Sequence, residues 1–217
     1  MEKVLQFLSE LKTNNNREWF ERHRDQYIEC REKIIFTVEI LIHEIRVFDK
    51  TVPLLNPKDC LFRIYRDVRF SEDKRPYKTH FGAFIANGGR KSEEPGYYIH
   101  LEPDNSFVGG GIYRPSAPIL KSIRNFIAEN GYEFEEVMND KDFKSALPEV
   151  MEDRLKTAPK GFPADHRYIE LLRYKSFAFS AHIPDITIVN NMFINETVSK
   201  FHLLYRINRL LHEALKE

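Results

Sequence analysis

The spacing of apolar and polar positions changes several times along the chain, and each change predicts an element. Val4, Leu5, Leu8 and Leu11 recur at helical spacing and predict a short amphipathic helix. T-N-N-N then interrupts. Asn15 with Glu18 three residues on has the spacing of a capping box, which predicts a second helix starting there. Its apolar stripe runs Phe20, Tyr27, Ile34, Leu41 and Phe48, joined by Val38 and Ile45, long enough for about eight turns. The stripe is read as one long helix packed lengthwise on a sheet or another helix, with a coiled coil as the alternative. Trp19, in its first turn, reads as a packing anchor.

The prolines of V-P-L-L-N-P-K-D break this helix, and from Cys60 the period becomes two. Cys60, Phe62, Ile64, Val68 and Phe70 would share one face of a first strand, with Arg66 as a misfit. Arg63, Tyr65, Asp67 and Arg69 would share the other. E-D-K-R-P-Y-K is a loop, H-F-G-A-F-I-A a second strand and Y-Y-I-H-L-E a third. P-D-N is a turn, and S-F-V-G-G-G-I-Y returns as a fourth strand antiparallel to the third. Ser116 opens a helix carrying Ile119, Ile123, Phe126 and Ile127, which Gly131 should end. A short helix near 165–172 leads to a fifth strand, K-S-F-A-F-S-A-H, and a last helix spans about 190–216.

These elements predict an α+β fold: a mostly antiparallel sheet of about five strands, with long N- and C-terminal helices packed on one face. One domain would cover residues 1–217, with a helical part at about 1–50, a sheet core at about 58–182 and the terminal helix.

Composition changes this picture in two places. The chain carries 33 basic and 33 acidic residues, so bulk charge gives no general affinity for nucleic acid or membranes. Yet residues 62–80, F-R-I-Y-R-D-V-R-F-S-E-D-K-R-P-Y-K-T-H, hold six basic residues against three acidic ones, a local charge of +3. The only cysteines, Cys30 and Cys60, form neither a disulfide framework nor a C-x-x-C metal pair. Reduced, buried thiols and an N-terminus unlike a signal peptide predict a cytoplasmic protein. No run approaches the roughly 20 apolar residues of a membrane span.

N-N-N-R-E-W-F-E-R-H-R-D-Q-Y near the start, the 62–80 stretch with Phe81, and Y-Y-I-H-L-E-P-D-N-S-F-V-G-G-G-I-Y-R-P together resemble a bacterial and fungal family known as domain of unknown function number 2461, as does L-L-R-Y-K-S-F more weakly. The resemblance spans nearly the whole chain. It implies one full-length domain and carries over no activity and no catalytic residue.

The candidate chemistry therefore comes from the residues. Strand alternation would place Arg63, Tyr65, Asp67 and Arg69 beside Tyr98, His100 and Glu102, with Tyr174 and Ser176 joining from the fifth strand and Lys74, Arg75, Tyr77, Lys78 and His80 at the rim. Arginine forks match phosphate geometry, and tyrosines stack on bases or sugars. The expected ligand-binding set is Arg63, Tyr65, Asp67, Arg69, Lys74, Lys78, His80, Tyr98, His100 and Arg114, for a phosphate-bearing small molecule. Nucleic acid is a weaker candidate, and a membrane is not expected. The alternatives are an internal salt-bridge network and a basic surface docking an acidic protein. The glycines at 109–111, with Arg114 and the Ser116 helix start, are a second anion candidate, although glycine in a strand usually marks a bulge or close packing. His80, His100 and Glu102 are metal-type ligands, but neither H-E-x-x-H nor a helical His pair fixes their geometry, so no metal and no cofactor is assigned. No G-x-S-x-G elbow, Walker loop or G-x-G-x-x-G is present, and enzyme status stays open.

Overall fold

The computed structural model describes residues 1–151, 153–190 and 192–216. The N-terminal helices are α1 (Glu2–Thr13), α2 (Arg17–Arg22), α3 (Arg24–Phe48) and the short α4 (Pro57–Cys60). β1 (Phe81–Ile85), β2 (Gly96–Leu101) and β3 (Phe107–Ile112) follow, then α5 (Ala117–Asn139), α6 (Lys141–Ala146) and β4 (Glu149–Val150). α7 (Ile169–Leu172), β5 (Phe177–His182), α8 (Asp185–Val189) and α9 (Phe193–Ala214) complete the chain. The fold is α+β, with a five-stranded antiparallel sheet in the order β1-β2-β3-β5-β4.

Two compact units divide the chain. The first comprises Met1–Arg90, Tyr98–Val108 and His182–Val198; the second comprises Lys91–Tyr97, Gly109–Ala181 and Ser199–Glu217.

In the first unit the predicted long helix is broken at His23, between α2 and α3. The cap is Asn16, whose side chain accepts from the Trp19 amide. Asn15, the expected cap, does something else. Its amide donates to the Tyr77 carbonyl at 2.9 Å and its carbonyl accepts from the Tyr77 N–H at 3.1 Å. One side chain thus satisfies both backbone groups of a residue 62 positions away. Phe20 stacks on Tyr77 at 3.9 Å and Tyr27 on Phe81 at 6.1 Å, so the helical layer grips both ends of the 77–81 segment. Asn15→Ala should cost about 1–3 kcal/mol, because it leaves two backbone groups unpaired. Urea unfolding checks this; a change under about 0.5 kcal/mol, the size of an ordinary surface substitution, would show that the clamp is incidental.

The expected first strand is not there. Among the described residues, 61–80 contribute only the isolated bridges Leu61↔Ala83 and Tyr65↔Tyr77. Ile64 is buried as its alternation requires, but Phe70 is 96% exposed. The segment is a hairpin-like excursion whose tip is held by charge: Asp73 bonds Arg66 and Arg75, and Asp67 takes a two-pronged bond from Arg69. The base of the excursion is paired with residues 76–82 through Phe62 N–H to the Gly82 carbonyl, Arg66 N–H to the Pro76 carbonyl and Lys78 N–H to the Ile64 carbonyl, too sparsely for a continuous ladder.

In the second unit, α5 runs through Gly131 instead of ending there, with a kink at Asn130 (φ −117°, ψ 19°). Gly131 is present because the Tyr168 ring lies over it: a Cβ there would sit 2.4 Å from Tyr168 Cγ. The glycines of β3 are packed just as tightly. A Cβ at Gly109, Gly110 or Gly111 would fall 2.4, 2.3 or 1.9 Å from the carbonyl oxygens of Phe179, Gly96 and Phe177. Tyr97 packs on Phe201 of α9, and Asn208 of α9 donates to the Gly96 carbonyl.

Both cysteines are free and buried, and burial pushes each thiol up to about 11. Neither should react with Ellman's reagent at pH 8 until the protein is unfolded, when two thiols should appear. An unfolded thiol loses its proton near its ordinary 9, below the folded value. These groups therefore stabilise the fold below pH 9, and that contribution declines as pH rises from 9 toward 11. Rapid native labelling of either cysteine would contradict this. Among the described residues, no helix is long and apolar enough to cross a membrane.

Candidate functional site

On β2 the side chains alternate. Tyr97, Ile99 and Leu101 are buried apolar residues, which puts Tyr98 and His100, with Glu102 just past the strand end, on the other face. The tight turn after Glu102 places Asp104 at φ 63°, a left-handed conformation that Asp tolerates. It also brings Asn105 back to Glu102, while Ser106 Oγ donates to the Glu102 carbonyl.

The 77–81 segment delivers the other half of the site. With Tyr77 and Phe81 buried against the helices, Lys78, Thr79 and His80 are left between two anchors. The His80 and His100 rings lie 4.2 Å apart. Tyr98 Oη is 3.1 Å from His100 Nδ1, and His100 Nε2 is 3.3 Å from Glu102 Oε2. Thr79 Oγ1 donates to Glu102 Oε1 at 2.7 Å, and Asn105 Nδ2 donates to Oε2 at 3.1 Å. Phe107 stacks on His100 at 4.6 Å, and Phe62 meets Tyr98 edge-on. Gly82 makes room for the Tyr98 hydroxyl, since a Cβ there would lie 2.7 Å from Tyr98 Oη.

Charge states follow from burial. Burial, with the neighbouring His100 and Lys78, brings His80 down to about 4. Burial also lowers His100, with Lys78 adding and Glu102 opposing. Burial alone would raise Glu102, but bonds from Thr79, Asn105 and His100 outweigh it and hold the carboxyl below its usual value. Burial and Glu102 push Tyr98 up to about 12. At neutral pH the cluster is thus two uncharged imidazoles, a carboxylate and a phenol. Lys78 is half-buried, with its ammonium 5.5 Å from the Phe62 ring centre, and it makes no ion pair among the described residues. Burial and then Arg63 lower its pKa, so Arg63 lies within electrostatic reach.

Of the residues expected from sequence, the structure brings together Lys78, His80, Tyr98 and His100, with Arg63 at the edge. Arg69 and Asp67 close on each other at 2.7 Å. Lys74 Nζ donates to the Val68 carbonyl at 3.1 Å. Tyr65 joins the aromatic group of Phe20 and Tyr77. Arg114 belongs to the second unit, where its amide donates to Ser176 Oγ and its guanidinium lies over Tyr113. Tyr174 is in that unit too, stacked by Arg154 at 4.1 Å. Thr79, Asn105 and Phe107 are members that no sequence motif marks; the P-D-N turn next to Glu102 was the one available hint for Asn105.

By its fold the chain is an α+β protein, one face of which carries a partly buried cluster of two imidazoles, a phenol and a single carboxylate. Its family follows from the sequence as a whole: the model of the family described as "Conserved hypothetical protein (DUF2461)" matches residues 3–209, and the chain belongs to that family. No curated protein and no solved structure matches it.

Proposed function

We propose that the chain is a cytoplasmic protein that binds an anionic, phosphate-bearing ligand at the Lys78–His80–His100 face of its first unit. The observation that carries this reading is Lys78. Local carboxylates pair three of the six basic residues of 62–80: Asp73 takes Arg66 and Arg75, and Asp67 takes Arg69. The Lys78 ammonium stays unpaired at a half-buried position, where an uncompensated charge is costly. Arg63 also makes no ion pair among the described residues, and the uncommitted His80 imidazole supplies a further N–H donor. Two free, buried thiols support the cytoplasmic part.

The test is a thermal-shift and calorimetric screen with inorganic phosphate, sugar phosphates, nucleotides and short single-stranded oligonucleotides at two salt concentrations. Ligand at 100 times its Kd adds about 2.7 kcal/mol. The expected hit weakens with salt and is weakened in Lys78→Met. Silence from every anion would end this reading.

A second reading rests on Phe70, 96% exposed beside Arg69 at the tip of the basic loop. An exposed aromatic amid arginines suits an acidic protein partner. Charge reversal at Lys74 and Arg75 would then abolish a pull-down that Lys78→Met leaves intact.

A further inference from the structure

We infer that His80, His100 and Glu102 form a binding site for one divalent first-row transition-metal ion. One ligand atom from each residue lies within 4.8 Å of the others, although His80 precedes β1, His100 is on β2 and Glu102 lies just past its end. Two ligands on a common ion at 2.0–2.2 Å stand about 3.0–3.5 Å apart. His100 Nε2 and Glu102 Oε2 are already at 3.3 Å, and the His80 ligand atom lies within 4.8 Å of both. His80 is also uncommitted: neither ring nitrogen makes a hydrogen bond among the described residues, and its one ring contact is with His100.

The other two ligands are held by outer partners, as metal ligands are. Tyr98 Oη sits on His100 Nδ1, so a hydroxyl that both donates and accepts allows the tautomer with a bare Nε2. Thr79 grips Oε1 of Glu102 and Asn105 donates to Oε2, which also faces His100 Nε2 and keeps a lone pair for an ion. Phe107 stacked on His100 walls off one side. Two imidazoles and one carboxylate suit zinc, cobalt, iron or manganese in the divalent state better than magnesium or calcium, which prefer all-oxygen shells. Three protein ligands leave positions open, so the ion would act as a Lewis acid toward an anion or water and not as a structural staple.

This deepens the anion reading at the same site, but the two can fail separately because the metal is tested with no phosphate present. Tag-free protein, stripped with a chelator, is titrated with cobalt(II) and followed by visible absorbance. The expected result is saturation at one equivalent. His80→Gln and Glu102→Gln should each weaken binding by more than about 100-fold, and Tyr98→Phe by about 10-fold, the low end for an outer partner. Circular dichroism and melting check that each variant is folded. A measurement on the unaltered chain needs no variant: zinc(II) should shift the imidazole nitrogen resonances of His80 and His100 and leave the other histidines in place. Absence of saturable binding, or binding that persists in both ligand variants or shifts other imidazoles instead, overturns the site. Phosphate added second reports on the anion: tighter cobalt binding supports that reading, and no change with saturated metal counts against it alone.

Discussion

Replacing Gly111 by alanine should lower the melting temperature by about 8–16 °C, the shift that a loss of roughly 4 kcal/mol produces in a chain of this size. Two penalties coincide there. The backbone sits at φ +100°, where L side chains are strained, and the new Cβ would be 1.9 Å from the Phe177 carbonyl oxygen and 3.0 Å from its carbon. Both neighbours are backbone, so relief requires moving a strand. Gly161 is the control. Its φ is +97°, but nothing lies within 4 Å of the added atom, so Gly161→Ala carries the conformational strain alone, about 1–2 kcal/mol. Equal melting temperatures for the two variants would show that the steric argument is wrong. A large difference would confirm that the glycine run serves strand packing, with its surface occupied by neighbouring carbonyls and unavailable to an anion.

Lys78→Met is expected to weaken the binding of whichever phosphate-bearing compound the screen identifies by about 10- to 100-fold, the value of one charge-assisted contact. It should do so while stability holds or rises. The ammonium has no carboxylate partner among the described residues, it is half-buried, and methionine retains its contact with Phe62 without the desolvation cost. A residue retained for folding would show the opposite pair of effects. Calorimetry and urea unfolding on the same preparations separate them: lost stability with unchanged affinity would remove Lys78 from the site and return it to the scaffold.

Four of the strands from 81 onward were legible because each carries its own alternation. β1, β3 and β5 fall within H-F-G-A-F-I-A, S-F-V-G-G-G-I-Y and K-S-F-A-F-S-A-H, and β2 overlaps Y-Y-I-H-L-E but starts one residue earlier, at Gly96. The expected strand at 60–70 shows the limit of that signal. Its alternation is real in part, with Ile64 buried and Arg63 exposed, but Phe70 is solvent-exposed because the chain there is held by Asp67 and Asp73 and not by a ladder. β4 has only two residues and exists through its pairing with Phe179 and Ser180, which no local pattern announces. Asn15 has the spacing of a cap, but Asn16 takes that role and Asn15 reaches Tyr77. Both have the chemistry to cap, and a contact 62 residues distant decides between them.

By itself, then, the sequence determined what depends on neighbours along the chain: the helical stripes, the alternation of β2 and therefore the shared face of Tyr98, His100 and Glu102. Tertiary structure alone decided which other groups meet that face. Packing of Tyr77 and Phe81 under the helices turned Lys78, Thr79 and His80 toward it, and sent Arg66, Arg69 and Arg75 to carboxylates within their own loop. Periodicity specifies a side chain's direction relative to its own backbone. Which charge finds which partner depends on the competition between nearby acids and distant ones, and only the folded chain settles that competition.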